Sequence, residues 1–170
     1  MESWDVLDVL QDVASELGPL YDRMLRQVEQ LQRNGPVVCR LVLSTITLAY
    51  RPLPLLEVGT LTDLPRQISS NLDKVVKVVH KCGSFLTIRH DRAYFIYWSA
   101  KDFLLERAFD RVFLSGKAEV IYSMFSRSLK IMSKTLQRDI YELRAPRYLI
   151  EMVEPPLPDL LTVAQYSCFY

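Results

Sequence analysis

The chain has 170 residues, enough for one domain or for one domain with a small extra unit. Hydrophobic residues make up 49% of it, so a core can form, and no segment has the composition of a disordered region. The 21 basic and 20 acidic side chains leave a net charge of +1, which excludes a general electrostatic attraction to nucleic acid or acidic membranes.

The cysteines and the first residues predict the cellular compartment of the protein. Cys39, Cys82 and Cys168 are an odd number at wide spacing, which predicts free thiols in a reducing environment. The acidic start lacks the basic flank and apolar centre of a signal peptide. The most apolar run, 37–50, is too short to span a bilayer. We therefore expect a cytoplasmic protein.

Residues 1–35 predict a helical lead-in. Gly18 and Pro19 are expected to break the helix, and Asn34-Gly35-Pro36 to stop it. Between these signals, apolar residues recur at helical spacing and leave the charges on the opposite face. The members of this stripe are Leu20, Tyr21, Met24, Leu25, Val28 and Leu31.

The next segment, 38–50, is apolar nearly all round, which predicts a central helix that is packed on several sides. Pro52 and Pro54 end it, because proline has no N–H to donate within a continuing helix. A short helix over 55–61 is expected to follow.

A third helix begins at Ser70-x-x-Asp73, where the spacing predicts a capping box. Gly83 suits the position just past its end. Its inward stripe is predicted to contain Leu72, Val75, Val76, Val79 and Cys82.

Two β-rich runs, 85–88 and 94–98, flank the polar tip His90-Asp91-Arg92 and predict a hairpin. Ser99-x-x-Asp102 then predicts the cap of a further helix. Helices followed by a β-ribbon and a new helix are the element order of a winged helix. We therefore predict a mainly α fold with a winged-helix domain over 36–114.

A long connecting helix is predicted over 115–145, and Pro146 closes it. Residues 146–170 are predicted to be a proline-rich linker and the start of a further helical or repeat region. The apolar seam of the long helix consists of Ile121, Phe125, Leu129, Met132, Leu136, Ile140 and Leu143.

Several runs in this order resemble the fungal NACHT-type signalling NTPases of the STAND class, which include vegetative incompatibility proteins. The region is similar to the unit described as a winged helix of the GPI inositol-deacylase type. The matching runs are 20–25 (LYDRML), 39–44 (CRLVLS), 48–53 (LAYRPL), 82–87 (CGSFLT), 99–105 (SAKDFLL), 127–129 (RSL) and 136–140 (LQRDI).

The resemblance implies a module that lies between a NACHT nucleotide-binding domain and a repeat domain and transmits nucleotide state by packing. These two domains, in the same chain or supplied separately, are the implied partners, and ATP or ADP is implied only for the NACHT domain. The family usually has a phosphate-sensing histidine where this chain has Tyr97, and a phenol offers no imidazolium. The implied interaction residues are Tyr97, Trp98, Ser99, Lys101, Asp102 and Arg51.

The sequence predicts no catalysis and no cofactor of its own. It contains no Gly-x-x-x-x-Gly-Lys-Ser/Thr loop to cradle phosphates. His80 and His90 have no second pair of ligands at zinc spacing, and neither lies in a nucleophile motif. We expect a non-enzymatic interaction module, cut from a longer protein or related to one.

DNA binding is the alternative function. Many winged helices read DNA with the third helix and the hairpin, and basic residues lie on both here. The alternative interpretation of these charges is an ordinary solvated face. The residues concerned are Lys74, Lys77, Lys81, Arg89 and Arg92.

Overall fold

The computed structural model describes residues 6–143, 149, 151, 153–154 and 159–170, with the backbone alone for 6–16 and 160. Helices dominate this part of the chain, and a small antiparallel sheet of three strands completes it. The described helices are α1 (Val6–Glu29), α2 (Gly35–Leu48), α3 (Leu55–Leu61), α4 (Arg66–Ser69), α5 (Leu72–Lys81), α6 (Trp98–Glu106), α7 (Phe109–Val112), α8 (Lys117–Thr135) and α9 (Gln165–Phe169).

The strands are β1 (Leu53–Pro54), β2 (Leu86–Arg89) and β3 (Arg92–Phe95). β3 lies between the other two and pairs with both of them antiparallel. The order helix, short strand, three further helices and hairpin over α2 to β3 is compatible with a winged-helix-like fold. This confirms the predicted fold class, including the flanking helices, although β1 was not predicted.

The core is built around α2, whose apolar circumference was predicted to be buried on several sides. Val42 and Leu43 are fully enclosed, and α2 contacts α1, α3, α5, α6, α7 and α8. The buried face of α1 contributes Tyr21, Leu25 and Val28 to the same core. The lead-in helix is therefore packed into the core and is not an appendage. The predicted division into domains stays a prediction.

The predicted break at Pro19 is wrong, because α1 continues through it as one helix of 24 residues. Proline removes one backbone hydrogen bond, and here the buried residues that follow hold the helix in place. At the adjacent Gly18, a Cβ would lie 2.6 Å from the Arg107 guanidinium, so a larger residue there would require the flexible Arg107 side chain to move.

Both predicted serine caps are corrected by the structure. The cap of α5 is Asn71, whose side chain accepts from the Lys74 N–H, whereas Ser70 donates to the carbonyl of Arg66. α6 begins after Tyr97, one residue before the predicted cap Ser99. Of the predicted inward stripe on α5, Val75, Val79 and Cys82 are buried, but Leu72 is exposed.

The long helix α8 ends at Thr135, so the predicted helix over 115–145 is too long. A turn follows, in which Asp139 and Glu142 have positive φ angles of 58° and 53°. A helix cannot continue through a left-handed residue, so the apolar spacing beyond Leu136 does not mark a helix. The predicted stop Pro146 and the linker prolines 155, 156 and 158 lie outside the described residues.

Three cysteines are free, and Cys39 and Cys82 are buried. The Cys82 thiol lies 3.4 Å from the Val78 carbonyl, and its hydrogen bond with Cys39, together with burial, raises its pKa. No described helix is both long enough and apolar enough to cross a membrane.

Candidate interaction surface

Five of the six implied interaction residues lie where the hairpin passes into α6, and Arg51 lies between α2 and β1. β3 ends at Phe95, and the N–H of Ile96 donates to the Phe85 carbonyl at 2.9 Å, which fixes the strand exit. Tyr97 has extended backbone angles and precedes the first helical residue, Trp98. Only two residues thus separate β3 from α6, and the aromatic side chains of Tyr97 and Trp98 are exposed.

Trp98 is 72% exposed and Tyr97 is 58% exposed. Large aromatic side chains at such exposure are unusual for residues held between two ordered elements. Tryptophan, tyrosine and arginine are also the residue types that carry most binding energy at protein interfaces. This surface therefore has the composition of a contact site.

Lys101 connects this surface to the end of α2. Its ammonium lies 5.1 Å from the centre of the Trp98 ring and 3.4 Å from the carbonyl oxygen of Ala49, at the C-terminal end of α2. A cation at this end of a helix is favoured by the helix dipole, and the ring face adds a cation–π contact. Partial burial lowers the pKa of Lys101, and nearby Asp102 opposes that shift.

Arg51 is held in place from two sides. Its guanidinium lies 2.9 Å from Glu57 and 5.4 Å from the centre of the Tyr166 ring. Glu57 is completely buried, and it also accepts from the backbone N–H of Tyr166 at 2.7 Å. Next to it, Tyr50 stacks on Tyr170 with a centroid separation of 5.4 Å. Arg51 is thus a half-buried anchor for the C-terminal helix α9.

Five of the six predicted residues line one of two recesses on the two sides of α6, and Tyr97 lines neither of them. Arg51, Trp98 and Lys101 line a recess of about 110 Å³ beside β3 and α2. Ser99 and Asp102 line a second cavity of about 250 Å³ against α1. In the second cavity the Ser99 hydroxyl is hydrogen-bonded to the Tyr21 phenol at 2.7 Å. This bond links the surface to α1 and engages the hydroxyl that the sequence had offered as a cap.

Sequence reasoning missed Glu57, Tyr50 and Tyr166. A lone carboxylate in the apolar run Leu55-Leu56-Glu57-Val58 was the available signal, because a charge inside a buried helix requires a partner. One partner of Glu57, Tyr166, is distant in sequence, whereas the other, Arg51, is only six residues away. The hydrophobic pattern alone could not pair them.

The basic residues of the DNA-binding alternative differ in their surroundings. Lys74, Lys77 and Lys81 are exposed along α5. Arg92, however, donates to the Pro52 carbonyl at 3.3 Å and so supports the pairing of β1 with β3. Among the described residues, no group of three or more His, Cys, Asp and Glu side chains could hold a metal ion.

The chain is 38% identical over 177 aligned residues to the vegetative incompatibility protein HET-E-1 of Podospora anserina. The chain is related to a fungal incompatibility protein. The alignment covers 97% of this chain, so it includes the hairpin, α6 and α8 together.

The same alignment covers only 13% of HET-E-1, so this chain spans a small part of the length of its relative. No protein-family model matches the chain. No solved structure matches it either. The relationship therefore rests on one long alignment, and it agrees with the resemblance that the motifs carried. The alignment lends no support to DNA binding.

Proposed function

We propose that this chain is the non-catalytic regulatory module of a fungal NACHT-type STAND signalling protein. It would relay the nucleotide state of an NTPase domain to a repeat domain, in nonself recognition of the incompatibility type. The observation that carries the proposal is the 38% identity to HET-E-1 along 97% of this chain. The small share of HET-E-1 that is covered leaves ample length there for other domains.

The surface around Tyr97, Trp98 and Lys101 is the proposed contact with the NTPase domain, as part of a winged helix. Trp98 offers an exposed apolar ring, and the ammonium of Lys101 is held against it at 5.1 Å. Tyr97 replaces the histidine that the family resemblance implies, so this contact would read the position of the NTPase domain and not the charge of a phosphate.

A relay needs an element with two packed arrangements that both ends of the protein can bias. The proposed route starts at α6, whose Ser99 is bonded to Tyr21 of α1. It continues through the shared core to α8, which packs against the C-terminal helix α9. Arg51 and Glu57 hold α9 from the other side. The helix that carries the proposed contact surface and the helix that leads to the outgoing segment thus pack against one shared core.

We also propose that the chain itself catalyses no reaction and that it acts in the cytoplasm. The Ser99 hydroxyl is hydrogen-bonded to a phenol and not to a general base. The surface groups an aromatic ring with a cation, which suits contact with a protein. ATP or ADP would bind to the NTPase domain.

The first test is genetic. The reading frame that encodes this chain, or a neighbouring frame, is expected to encode an upstream P-loop of the form Gly-x-x-x-x-Gly-Lys-Ser/Thr. If neither frame encodes one, the module has no NTPase domain to read and the proposal fails.

The second test is binding of that upstream domain to this chain by calorimetry, with ADP and with ATP. We expect different affinities with the two nucleotides, and we expect Trp98→Ala to weaken the tighter complex at least tenfold. Tyr122→Ala is the matched control, because Tyr122 is also an exposed aromatic residue but lies on α8. Equal affinity with both nucleotides would contradict a relay. Binding to duplex DNA at low salt would instead favour the alternative.

A further inference from the structure

The recess beside β3 and α2, called the Trp98 recess from here on, combines buried apolar residues with exposed aromatic rings. Ile46 and Ala49 of α2 and Ala93 of β3 line it, and each is at most 5% exposed. Trp98 and Tyr50 also line it, and they are 72% and 80% exposed. The recess thus offers an apolar inner surface together with aromatic rings that a partner can cover.

The volume of the Trp98 recess sets the size of the group that fits it. It measures about 110 Å³, whereas sites for complete small-molecule ligands measure roughly 300–1000 Å³. An apolar cavity of roughly 150 Å³ holds one benzene molecule. The recess therefore accepts one aliphatic side chain of the size of leucine and not a complete organic ligand.

Two cations line the recess, and their surroundings differ. Arg51 is ion-paired with Glu57 at 2.9 Å. The half-buried Lys101 takes part in none of the ion pairs between described residues. Its ammonium contacts the Ala49 carbonyl at 3.4 Å and the Trp98 ring at 5.1 Å. An ammonium has three N–H donors, so these two contacts leave one donor for a ligand.

The charge of Lys101 is incompletely compensated inside the recess. Among the described residues, no Asp or Glu lines the recess together with it. Partial burial lowers the pKa of Lys101, as expected for a cation that has lost part of its hydration. Asp102 opposes this shift, but it lines the cavity on the other side of α6. A carboxylate brought to Lys101 would gain a charge-assisted hydrogen bond.

Size and charge together distinguish the possible occupants. A purely apolar segment would cover the aromatic rings but would leave Lys101 without a carboxylate. A nucleotide could bring a phosphate to Lys101, but its base is larger than benzene and exceeds the volume of the recess. An aliphatic side chain that is next to a carboxylate on one protein segment satisfies both features.

We propose that the Trp98 recess binds a protein segment in which an aliphatic residue of the size of leucine is adjacent to Asp or Glu. The aliphatic side chain would enter the recess against Trp98 and Ala93, and the carboxylate would accept a hydrogen bond from Lys101. This inference rests on the proposed function, because it assigns the segment to the surface of the NTPase domain. It adds the chemistry by which that domain would be recognised.

The probes are three short peptides that are blocked at both ends, with the central pairs Leu-Glu, Leu-Gln and Ala-Glu. Each is titrated into the 170-residue chain, and the indole N–H signal of Trp98 is followed by NMR. The chain has two tryptophans, and Trp98→Phe identifies the signal of Trp98. We expect a saturable shift with the Leu-Glu peptide. Its Kd should be at least threefold lower than that of the Leu-Gln peptide and at least tenfold lower than that of the Ala-Glu peptide.

Variants of the chain test the two named side chains. Lys101→Met keeps an unbranched side chain without the charge, so the Leu-Glu and Leu-Gln peptides should then bind equally. Lys117→Met is the matched control, because Lys117 is exposed on α8 and does not line the recess, and it should keep the threefold difference. Trp98→Ala should raise the Kd of the Leu-Glu peptide at least tenfold, followed by the backbone N–H signal of Ala93. Circular dichroism confirms that each variant is folded.

The outcomes that would overturn the inference are specific. They are the absence of a saturable shift with the Leu-Glu peptide, equal Kd values for Leu-Glu and Leu-Gln, and tighter binding of ADP than of the Leu-Glu peptide at the Trp98 signal. Sedimentation that shows a dimer of the chain, dissociated by Trp98→Ala, would assign the recess to self-association and would overturn the inference as well.

The peptide titrations need no NTPase domain, so this inference and the proposed function can fail separately. If Trp98→Ala weakens binding of the NTPase domain but the Leu-Glu peptide does not bind, the inference fails and the proposed function stands. If the peptides bind in the expected order but the NTPase domain does not bind, the proposed function fails. The recess chemistry is then supported, and the assignment of the segment to that domain is wrong.

Discussion

Glu57 is the residue on which the C-terminal part of the described structure depends. It is fully buried between Arg51, with an N–O separation of 2.9 Å, and the backbone N–H of Tyr166 at 2.7 Å. A buried carboxylate is tolerated only when charge and hydrogen bonds compensate for lost hydration. Both partners come from segments outside α3. Glu57 therefore links the segment before β1 and the helix α9 to the core.

Glu57→Gln tests this arrangement with little change in shape. Its amide oxygen can still accept from Tyr166, but Arg51 loses the charge that it faces, so we expect the free energy of unfolding to fall by about 1–3 kcal/mol. Urea denaturation measures the change. Glu106→Gln is the matched control, because Glu106 is exposed, and it should alter stability by less than about 0.5 kcal/mol. A loss no larger than that of the control would contradict the role given to Glu57.

The exposed aromatic residues show what can be predicted about single residues from the sequence. Tyr97 and Trp98 were singled out by their place in the motif, and the structure places them 58% and 72% exposed. Ser99 was interpreted as a helix cap from its spacing to Asp102, and it is bonded to Tyr21, 78 residues away. Exposure and long-range partners depend on where the helices meet, and local spacing does not contain that information.

At the scale of elements, the hairpin shows how little sequence is needed for local structure. Arg89 and Arg92 form the last register pair, so the loop has two residues, His90 and Asp91. Their φ angles are 46° and 58°, the left-handed pair that a two-residue hairpin turn requires. The polar tip His90-Asp91-Arg92 therefore predicted the turn correctly. The two-residue β1 that pairs with β3 gave no such signal, because it ends in proline.

The strained turn provides a test of the hairpin. Asp91→Gly is expected to stabilise the chain by a few tenths to about 1 kcal/mol, because glycine adopts a positive φ without steric cost. The Asp91 carbonyl that accepts from Leu55 is retained in this variant. Asp91→Val is the opposing variant, and its branched side chain should destabilise the turn. Thermal unfolding of both variants is the measurement, and a lower Tm for glycine than for valine would refute the turn geometry.

Helix α8 shows the limit of periodicity. The apolar spacing from Ile121 to Leu143 predicted one helix with an apolar seam, whereas the helix ends at Thr135 and Ile121, Phe125 and Leu129 of that seam are exposed. Asp139, in its left-handed conformation, accepts from the N–H of Leu143 at 2.7 Å and stabilises a turn in place of the helix. Periodicity located the face correctly but could not tell what covers it.

At the scale of the whole molecule, ion pairs fasten the lead-in helix to the rest. Arg111 of α7 pairs with Asp22 and Glu29 of α1, and Arg40 of α2 lies 3.6 Å from Glu29. Hydrogen bonds from Arg111 are the largest cause that lowers the pKa of each carboxyl group, and burial opposes them. The same bonds raise the pKa of Arg111. Three helices separated in sequence thus share one charge cluster.

This cluster predicts an acid dependence of folding. A carboxyl group with a lowered pKa in the folded state contributes stability above its unfolded pKa and loses it as the pH falls through the folded value. The contribution should be complete at neutral pH and decline below about pH 4.5. Arg111→Gln is expected to lower stability at pH 7 and to shrink the difference between pH 7 and pH 3.5.

Urea denaturation at the two pH values checks this prediction. Arg138→Gln is the matched control, because Arg138 is exposed and follows α8. It removes an arginine and should leave the pH dependence unchanged. An unaltered pH dependence for Arg111→Gln would show that the cluster does not link protonation to folding.

The order of the main helices, the hairpin and the apolar centre of α2 were determined by the sequence itself, because each arises from residues that are close neighbours in the chain. The family resemblance was also contained in the sequence, in several short runs in a fixed order. The tertiary structure alone decided that Glu57 is buried beside Tyr166, that β1 joins the sheet and that the apolar seam of α8 faces outward. Those features depend on contacts between segments far apart in the chain. Hydrophobic spacing shows which side of a helix avoids water, but only packing shows whether another part of the protein covers it.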